Sequence, residues 1–499
     1  MNRRTLLRAG GGFALISAGS PIFGENPFRS LFESSQASPS PSFDPRTHGA
    51  RGDGHSNDNR AIQRAIDECA HAGGGTVNLS PGTYLTGTIV LKSNINFHLE
   101  AGATLLGSTR IEDYAETPAA NDKRAYHLIH ARGADNLSIT GEGTVNGQGP
   151  SFWVPTNRPQ PAQEDLWKDV VTKDWKPLTR PSPMIDLAEC RNLTVREITI
   201  ANSPGWTFRL TACDTVTVQG IKIRNPIYGI NVDGIDVTCC SNVQISECDI
   251  ATADDAICLK SENAYSDVTM TRNITATNCK ITGCCNGFKI GTGTSGQFEN
   301  IVASNLVVYN PDVPYNQRII SGISLEMVDG GSVDGVNISG IQMQRARAPI
   351  FVRLGNRNGS PGTLRNVSIQ GVQATGAIIC SSISGLQGAP VQDVRLSDIH
   401  IESAEAGRKE WASAEIPEQA HAYPESKMFG RLPAYGLYCR HAEGIQINGF
   451  EIAAAPGEGR PAMVFDDVIN SEIAGLRLDG AHGSHPVELI HCHNVKAQV

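Results

Sequence analysis

A pattern of apolar positions recurs nine times between residues 193 and 452. In the first copy the anchor Leu193 is followed two, five and seven positions later by Val195, Ile198 and Ile200. Alternation, a one-residue slip and renewed alternation describe two short strands that meet at a bend, each with one face directed inward. The later anchors are Val216, Val243, Ile274, Ile301, Val336, Val367, Val394 and Ile445.

The spacing of these anchors predicts how the strands assemble. Most anchors are 23 to 35 residues apart, with one longer gap between Val394 and Ile445. Units of this size cannot bury their own apolar faces, so they must stack into a solenoid. We therefore predict an all-β fold, a single-stranded right-handed parallel β-helix.

A second pattern predicts which polar residues are stacked. DGIDV begins at Asp233, DAICL at Asp255, NGFKI at Asn286 and SGISL at Ser321. Aligned in this way, the four leading residues lie above one another on successive coils. Because adjacent coils are about 4.8 Å apart, Asp233 and Asp255 should be close neighbours, with Asp254 beside them.

Three carboxylates at one level of a solenoid carry an electrostatic cost. Like charges at this range cannot all ionise, so at least one pKa should be raised. Hydrolysis of a glycosidic bond uses such a set, because it needs one protonated acid and one ionised base. A calcium site or a solvated acidic turn is the structural alternative for the same residues.

The outward positions of the same strands are expected to line a shared groove. Cations in such a groove, close to the three aspartates, would suit a substrate that carries carboxylates. These positions are Thr207, Arg209, Asp236, Thr238, Cys258, Lys260, Lys289, Gly291, Ser324, Glu326, Phe351 and Arg353.

The amino terminus predicts export. Residues 1–24 pair Arg3 and Arg4 with a short apolar run, which is the layout of a twin-arginine-like signal, although a disordered cationic tail is the alternative. Residues 25–42 are interpreted as a linker because of the stretch SSQASPSPS, and residues 43–499 as the catalytic β-helix. We expect a bacterial periplasmic or extracellular location.

Composition narrows the possible partners. The formal charge of −9 argues against nucleic-acid or anionic-membrane partners, and no later segment is apolar enough to serve as a membrane anchor. The odd number of cysteines, 13, leaves at least one thiol unpaired, and their repeat positions predict stacked buried thiols rather than a metal site. We expect a monomer with no cofactor and no metal.

Several stretches resemble glycoside hydrolase family 28, which contains polygalacturonases and rhamnogalacturonases. The resemblance implies an inverting hydrolase of pectic polysaccharide in which Asp254 is the general acid, and Asp233 and Asp255 hold and activate water. The stretches are HGARGDG at 48–54, residues 80–108, TRPSPMIDL at 179–187, NSPGW at 202–206, NVDGID at 231–236 and TADDAICLKS at 252–261.

The chain departs from that family at two motifs. Asn286 replaces the histidine of a GHG motif, and residues 324–326, SLE, replace RIK, whose cations grip a galacturonate carboxylate in the family. We therefore expect another pectic linkage, such as the rhamnogalacturonan backbone or a terminal galacturonate or rhamnose. The predicted substrate-binding residues are Asn231, Asp236, Lys260, Asn286, Lys289, Glu326 and Arg353.

Two segments could adjust this specificity. Residues 151–178 contain Trp153, Trp167 and Trp175, and the gap between Val394 and Ile445 holds a second long segment. Each is interpreted either as a groove wall or as a cap on the solenoid, and closure of one end would make the enzyme exo-acting. Two other functions stay open: a polysaccharide lyase with calcium and a Lys or Arg base, and a noncatalytic carbohydrate-binding solenoid.

Overall fold

A computed structural model describes residues 41–117, 126–267, 269–480 and 486–498. The predicted export signal and all but the last two residues of the predicted linker lie outside these ranges. The described residues contain one α-helix, α1 Asn59–His71, and 37 strands. No described helix combines the length and the apolar character that crossing a membrane requires.

The strands are numbered in chain order. The first part of the chain forms β1 Ser42–Phe43, β2 Asp53–Asn57, β3 Gly75–Leu79, β4 Gly82–Thr86, β5 Ile89–Val90, β6 Ile95–Leu99, β7 Ala103–Gly107, β8 Ile129–Arg132, β9 Asp135–Gly141, β10 Thr144–Asn146, β11 Trp153–Pro155, β12 Trp175–Pro177, β13 Ile185–Ala188, β14 Arg191–Arg196, β15 Thr199–Ala201, β16 Phe208–Thr211, β17 Asp214–Gln219 and β18 Lys222–Arg224. The second part forms β19 Ile235–Thr238, β20 Ser241–Ser246, β21 Asp249–Thr252, β22 Ile257–Lys260, β23 Met270–Thr277, β24 Lys280–Gly283, β25 Asn286–Ile290, β26 Gln297–Tyr309, β27 Ser321–Met327, β28 Ser332–Gln344, β29 Ala348–Leu354, β30 Thr363–Ala377, β31 Ser381–Ser384, β32 Val391–Ser403, β33 Leu437–Glu443, β34 Gln446–Ala453, β35 Met463–Asp479, β36 Val487–Ile490 and β37 His493–Ala497. Short 3₁₀ turns cover Pro45–His48, Ile111–Asp113, Gly149–Phe152, Gln163–Asp165, Val171–Asp174, Tyr315–Gln317 and Lys409–Ser413.

The architecture is a parallel β-helix, as the repeat predicts. Among the described strands, 35 belong to one hydrogen-bonded system, and β11 and β12 form a separate antiparallel pair. Strands of successive coils pair in parallel, for example β14 with β17 and then β17 with β20. One such series, which we call the site ladder, runs through β8, β13, β16, β19, β22, β25, β27, β29, β31 and β33.

The predicted register of the apolar anchors is confirmed. Leu193 pairs with Val216, and Val216 pairs with Val243. The series continues through Ile274 and Ile301 with the same alignment. These side chains are buried in the main apolar core inside the coil, because the inward face of every strand meets the inward faces of its neighbours.

Left-handed residues bend the backbone within several strands. Asn192, Asn242 and Asn273 have φ values of 55°, 57° and 55° and stand one residue before an anchor. Asparagine tolerates this conformation better than most residues, since its short amide side chain can bond locally. The Asn273 amide donates to Asn242 at 2.9 Å, and Asn300 donates to Asn273 at 3.1 Å, so an asparagine row follows the outside of the coil.

All 13 cysteines are free, and most of them are buried. The predicted stacking is present, since the backbone N–H of Cys213 donates to the sulfur of Cys240 at 3.3 Å. Cys190 accepts from the Ala134 amide at 3.4 Å one coil earlier. These thiols therefore fill the core as small apolar side chains.

Two insertions lie on the outer face of the site ladder. The tryptophan insertion, residues 149–178, includes the β11–β12 hairpin. The long loop, residues 404–436, packs Phe429 and Leu432 against Phe351 and Tyr438 of the ladder strands β29 and β33. The outer face of the later coils is consequently covered.

Candidate active site

The three predicted carboxylates meet at the start of adjacent ladder strands. Asp233 precedes β19, and Asp254 and Asp255 precede β22. The Gly234 amide donates to the Asp255 carbonyl at 2.8 Å, and the Ala256 amide donates to the Asn286 carbonyl at 2.9 Å. The parallel pairing therefore stacks Asp233, Asp255 and Asn286 on three successive coils, in the predicted order.

Asp255 is held in its ionised form. Its Oδ1 accepts from the Asn286 amide at 2.7 Å, and its Oδ2 lies 3.1 Å from the Lys289 ammonium. Burial alone would raise the pKa of Asp255, but Lys289, Lys260 and the Asn286 amide hold it below its ordinary value.

The other two carboxyls are shifted in the opposite direction. Burial and the neighbouring Asp255 raise the pKa of Asp254 to about 6. Asp254 is the one of the three that remains half-exposed, and its Oδ1 accepts from the Asp255 amide at 2.9 Å. Burial, followed by the charges of Asp236 and Asp254, raises the pKa of Asp233 well above its usual range. The group thus retains a proton near neutral pH while Asp255 stays charged.

A pocket of about 350 Å³ opens on the site ladder, and it is connected to this group through Lys260, which lines the pocket and whose charge acts on Asp233 and Asp255. The three aspartates themselves are not among its lining residues. The Lys260 ammonium lies 5.0 Å from the centre of the Trp206 ring and 3.9 Å from Asp236. Although burial opposes its charge, the carboxylates around Lys260 hold its pKa above the ordinary value. The lining residues are Trp206, Arg209, Thr211, Thr238, Lys260, Glu262, Asn263, Ala264, Thr292, Gly293 and Arg357.

Most of the predicted binding residues are buried and have partners within the protein. Lys289 is 1% exposed and lies 3.1 Å from Glu326 as well as from Asp255. Arg353 donates to the carbonyls of Gly385 and Glu418. Asp236 is also fully buried, whereas Asn231 is exposed. The expected open groove is closed at Lys289 and Arg353 because Tyr423 and Glu418 of the long loop lie over them.

The tryptophan insertion forms one wall of the site. The Trp153 indole N–H donates to the Pro204 carbonyl at 2.8 Å. Trp175 stacks on Tyr228 with ring centres 5.3 Å apart, and Trp153 meets Tyr228 edge-on at 6.0 Å. Tyr228, which both tryptophans contact, lies just before Asn231 and Asp233 in the chain.

The long loop forms the opposite wall. Tyr423 is 56% exposed, and its ring centre lies 5.7 Å from the Lys289 ammonium and 5.5 Å from the Arg357 guanidinium. The loop also meets the tryptophan insertion, because the Arg431 guanidinium lies 4.2 Å from the centre of the Trp167 ring. The two insertions therefore meet over the coils of β29 and β31, where Trp167 packs against Ala348 and Ile378.

Three residues around the pocket were not predicted as ligands. Trp206 lies in the NSPGW stretch, so its motif offered a signal. Tyr423 lies in the segment between Val394 and Ile445, which is interpreted from the sequence as a possible groove wall. Arg357 follows β29 in a turn, and no repeat position distinguishes it, so only the folded structure reveals it.

The sequence profile described as Glycosyl hydrolases family 28 matches residues 71–422, which is more than half of the chain. The chain belongs to glycoside hydrolase family 28. An endo-polygalacturonase of Pectobacterium carotovorum subsp. carotovorum is 28% identical over 300 residues, covering 58% of this chain and 70% of that protein. A probable polygalacturonase of Vitis vinifera is 24% identical over 396 residues, covering 74% of this chain and 76% of that protein.

Solved structures of the family share the fold. The exopolygalacturonase of Thermotoga maritima is 25% identical and superposes with a TM-score of 0.60, covering 73% of this chain and 88% of that one. The family 28 exopolygalacturonase of Yersinia enterocolitica gives a TM-score of 0.61 at 20% identity, covering 92% of this chain and 78% of that one. This family 28 chain is therefore a glycoside hydrolase built on a parallel β-helix.

Proposed function

We propose that this enzyme removes a uronate-containing sugar from the end of a pectic chain by inverting hydrolysis. One observation carries the proposal: the adjacent carboxyls of Asp254 and Asp255 have opposite surroundings, because Asp255 is buried against the Lys289 ammonium and the Asn286 amide, whereas Asp254 remains half-exposed. Their pKa values are accordingly shifted in opposite directions. Such a separation assigns an acid and a base within one site. Membership of family 28 and its polygalacturonase relatives supply the substrate class.

In this mechanism Asp254 protonates the leaving oxygen. It is the half-exposed carboxyl, so it can reach a bound glycosidic bond, and its raised pKa keeps it protonated in weakly acidic solution. Asp255 and Asp233 hold the attacking water, and Asp255 accepts its proton because Lys289 and Asn286 favour the ionised form.

The pocket supports recognition of a single anionic sugar. Trp206 offers an aromatic face, while Lys260 and Arg357 offer positive charge. In the family, the cations of the RIK motif bind the substrate carboxylate, but Glu326 occupies that position here. We assign this role to Lys260 and Arg357, which lie on other coils. Galacturonate at a chain end, attached either to galacturonate or to rhamnose, has the required chemistry.

Closure of the groove supports attack at a chain end. The long loop covers the ladder after β25, and it meets the tryptophan insertion through Arg431 and Trp167. A long polysaccharide cannot continue through this junction, so the sugar in the pocket is the last of its chain.

The lyase alternative is disfavoured by the state of the lysines. A lyase needs a neutral Lys or Arg to remove a proton. Burial opposes the positive charge of Lys289, but Asp255 and Glu326 stabilise it, so the pKa of Lys289 lies well above its usual value. The pKa of Lys260 is also raised. Neither lysine can act as a base near neutral pH.

The direct test is incubation with galacturonan and rhamnogalacturonan oligosaccharides, followed by product analysis by mass spectrometry. We expect stepwise release of monosaccharide from one end, with the oligomer series shortening by one unit at a time. Products of mixed internal length would contradict the exo assignment. Unsaturated products that absorb in the ultraviolet would establish a lyase, and binding without products would establish a carbohydrate-binding solenoid.

A further inference from the structure

A second buried polar cluster lies on the site ladder, upstream of the carboxylate group. β8 carries His130, which pairs in register with Asp186 on β13, and Asp186 pairs with Arg209 on β16. His127 lies just before β8. The side chains of His127 and Asp186 are fully buried, and that of His130 is 10% exposed.

Two imidazole nitrogens in this cluster face one carboxylate oxygen. Asp186 Oδ2 lies 3.5 Å from His127 Nε2 and 3.4 Å from His130 Nδ1. Both distances exceed the range of about 2.7–3.2 Å for a direct N–H···O hydrogen bond. Within the described part of the chain, neither nitrogen has a hydrogen-bond partner. Buried polar atoms rarely remain in this state without an additional ligand.

The second nitrogen of His127 shows which way the ring is protonated. His127 Nδ1 lies 2.6 Å from the Pro183 carbonyl oxygen. A carbonyl can only accept, so Nδ1 carries the hydrogen, and in the neutral ring Nε2 presents a lone pair toward Asp186. Histidines that bind metals are oriented in this way, with the other ring N–H donated to a carbonyl.

We propose that His127 Nε2, His130 Nδ1 and Asp186 Oδ2 bind a divalent transition-metal ion, with Zn²⁺ as the best fit. Two ligands of a tetrahedral zinc ion, each about 2.0–2.1 Å from the metal, lie about 3.3–3.4 Å apart. The two measured separations from Asp186 match this spacing. Two imidazoles and one carboxylate also form a donor set that suits zinc better than calcium or magnesium.

The surrounding residues complete the shell. Arg209 donates to the other oxygen of Asp186 at 2.7 Å, which fixes the orientation of the carboxylate. The Tyr265 hydroxyl donates to Oδ2 at 2.5 Å, so it lies within reach of the ion. Hydrogen bonds of this kind to a ligating carboxylate orient it toward a metal ion.

The site has a positioning role rather than a catalytic one. It connects two coils to the segment that carries Tyr265, and the preceding residues Asn263 and Ala264 line the pocket beside Lys260. A bound ion would hold this pocket wall in place. We had predicted no metal from the sequence, because Asp186 is far from the two histidines in the chain and only the parallel pairing of β8 with β13 brings the three ligands together.

Elemental analysis of untagged protein after dialysis against metal-free buffer tests the proposal. We expect about one equivalent of Zn²⁺ per chain, and His127→Gln or His130→Ala should weaken the affinity by about a hundredfold or more. The matched control is His98→Ala, because His98 is a half-buried histidine that contacts Thr140 on another coil. This control should retain the metal.

The Co²⁺-substituted wild-type protein provides a second measurement that does not depend on the variants. We expect intense visible absorption typical of tetrahedral cobalt, displaced by Zn²⁺. A wild-type protein that binds no stoichiometric metal, a hydrated-ion cobalt spectrum, or variants with unchanged affinity would each overturn the site. Metal content is measured without substrate, so this outcome is separate from the test of pectin hydrolysis.

Discussion

Two lysines near the carboxylate group have different surroundings: Lys289 lies on a closed side, under the long loop, and Lys260 lies on an open side, at the pocket. Lys289 is 1% exposed and lies between Asp255 and Glu326, each 3.1 Å away. Lys260 is 9% exposed, stands beside the Trp206 ring and borders a pocket. On the closed side, Lys289 keeps Asp255 ionised. On the open side, the charge of Lys260 is available to a ligand in the pocket.

This difference shows that position in the repeat does not by itself define function. Both lysines come from outward positions of neighbouring ladder strands, and the sequence assigned both to substrate binding. The loops above the ladder decide which charge is sealed and which is accessible. Four experiments can sharpen or break the distinction.

The largest effect is expected from Asp254→Asn, which removes the proposed general acid. We expect kcat to fall by about a thousandfold, because general acid catalysis contributes roughly 10²–10⁴. The isosteric amide should leave the fold intact in circular dichroism. Asp312→Asn, at a side chain that is 84% exposed, is the control; equal activity of the two variants would exclude Asp254 as the acid.

The next largest effect belongs to the closed side. Lys289→Met should lower the free energy of unfolding by about 3 kcal/mol, because it leaves two buried carboxylates without their cation. Activity should fall with it, since Asp255 would no longer be held ionised. Urea denaturation measures the stability change. Lys280→Met, which breaks an exposed pair with Asp249, should change the stability far less, because solvent screens that pair. Similar losses for both variants would contradict a special role for Lys289.

On the open side, Lys260→Met should act mainly on binding. We expect KM for an anionic oligosaccharide to rise about tenfold or more, because a charge-assisted hydrogen bond contributes about 1.5–3 kcal/mol. Initial rates over a range of substrate concentrations measure the effect, with exposed Lys222→Met as the control. An unchanged KM would remove Lys260 from the binding site.

The smallest effect concerns pH. The acid must be protonated, so kcat/KM should fall as pH rises through the Asp254 pKa of about 6, and should be half-maximal near that pH. Asp255 must be ionised, so activity should also fall in strong acid, below its lowered pKa. A pH–rate profile measures both limbs; a flat profile between about pH 5 and 8 would contradict the assignment.

Much of the solenoid could be predicted from the sequence because stacking repeats the same constraint on every coil. Leu193, Val216 and Val243 each face the core and must be apolar, so the alignment of successive coils could be predicted from these positions. Helix α1 was not predicted, although Ile62, Ile66 and Cys69 follow a helical period, since it occurs once and no other coil repeats it.

The carboxylate group was predictable for the same reason, because Asp233 and Asp255 occupy equivalent positions on adjacent coils. Burial of Lys289 and Arg353 was not, because it depends on the long loop that folds over them. Arg357 and Tyr423 lie outside the repeat, and only the path of the chain brings them together. Sequence periodicity therefore predicts the residues of the site that lie on ladder strands, but not those that the loops contribute.

The asparagine row has a mechanical consequence. The side-chain amides of Asn242, Asn273 and Asn300 are hydrogen-bonded from one coil to the next. Each coil is therefore stabilised mainly by its two neighbours along the axis. Fraying should then start at the ends, where β37 exposes most of its side chains, and advance coil by coil. The group of Asp233, Asp254 and Asp255 lies in the interior of the stack and would be among the last parts to loosen.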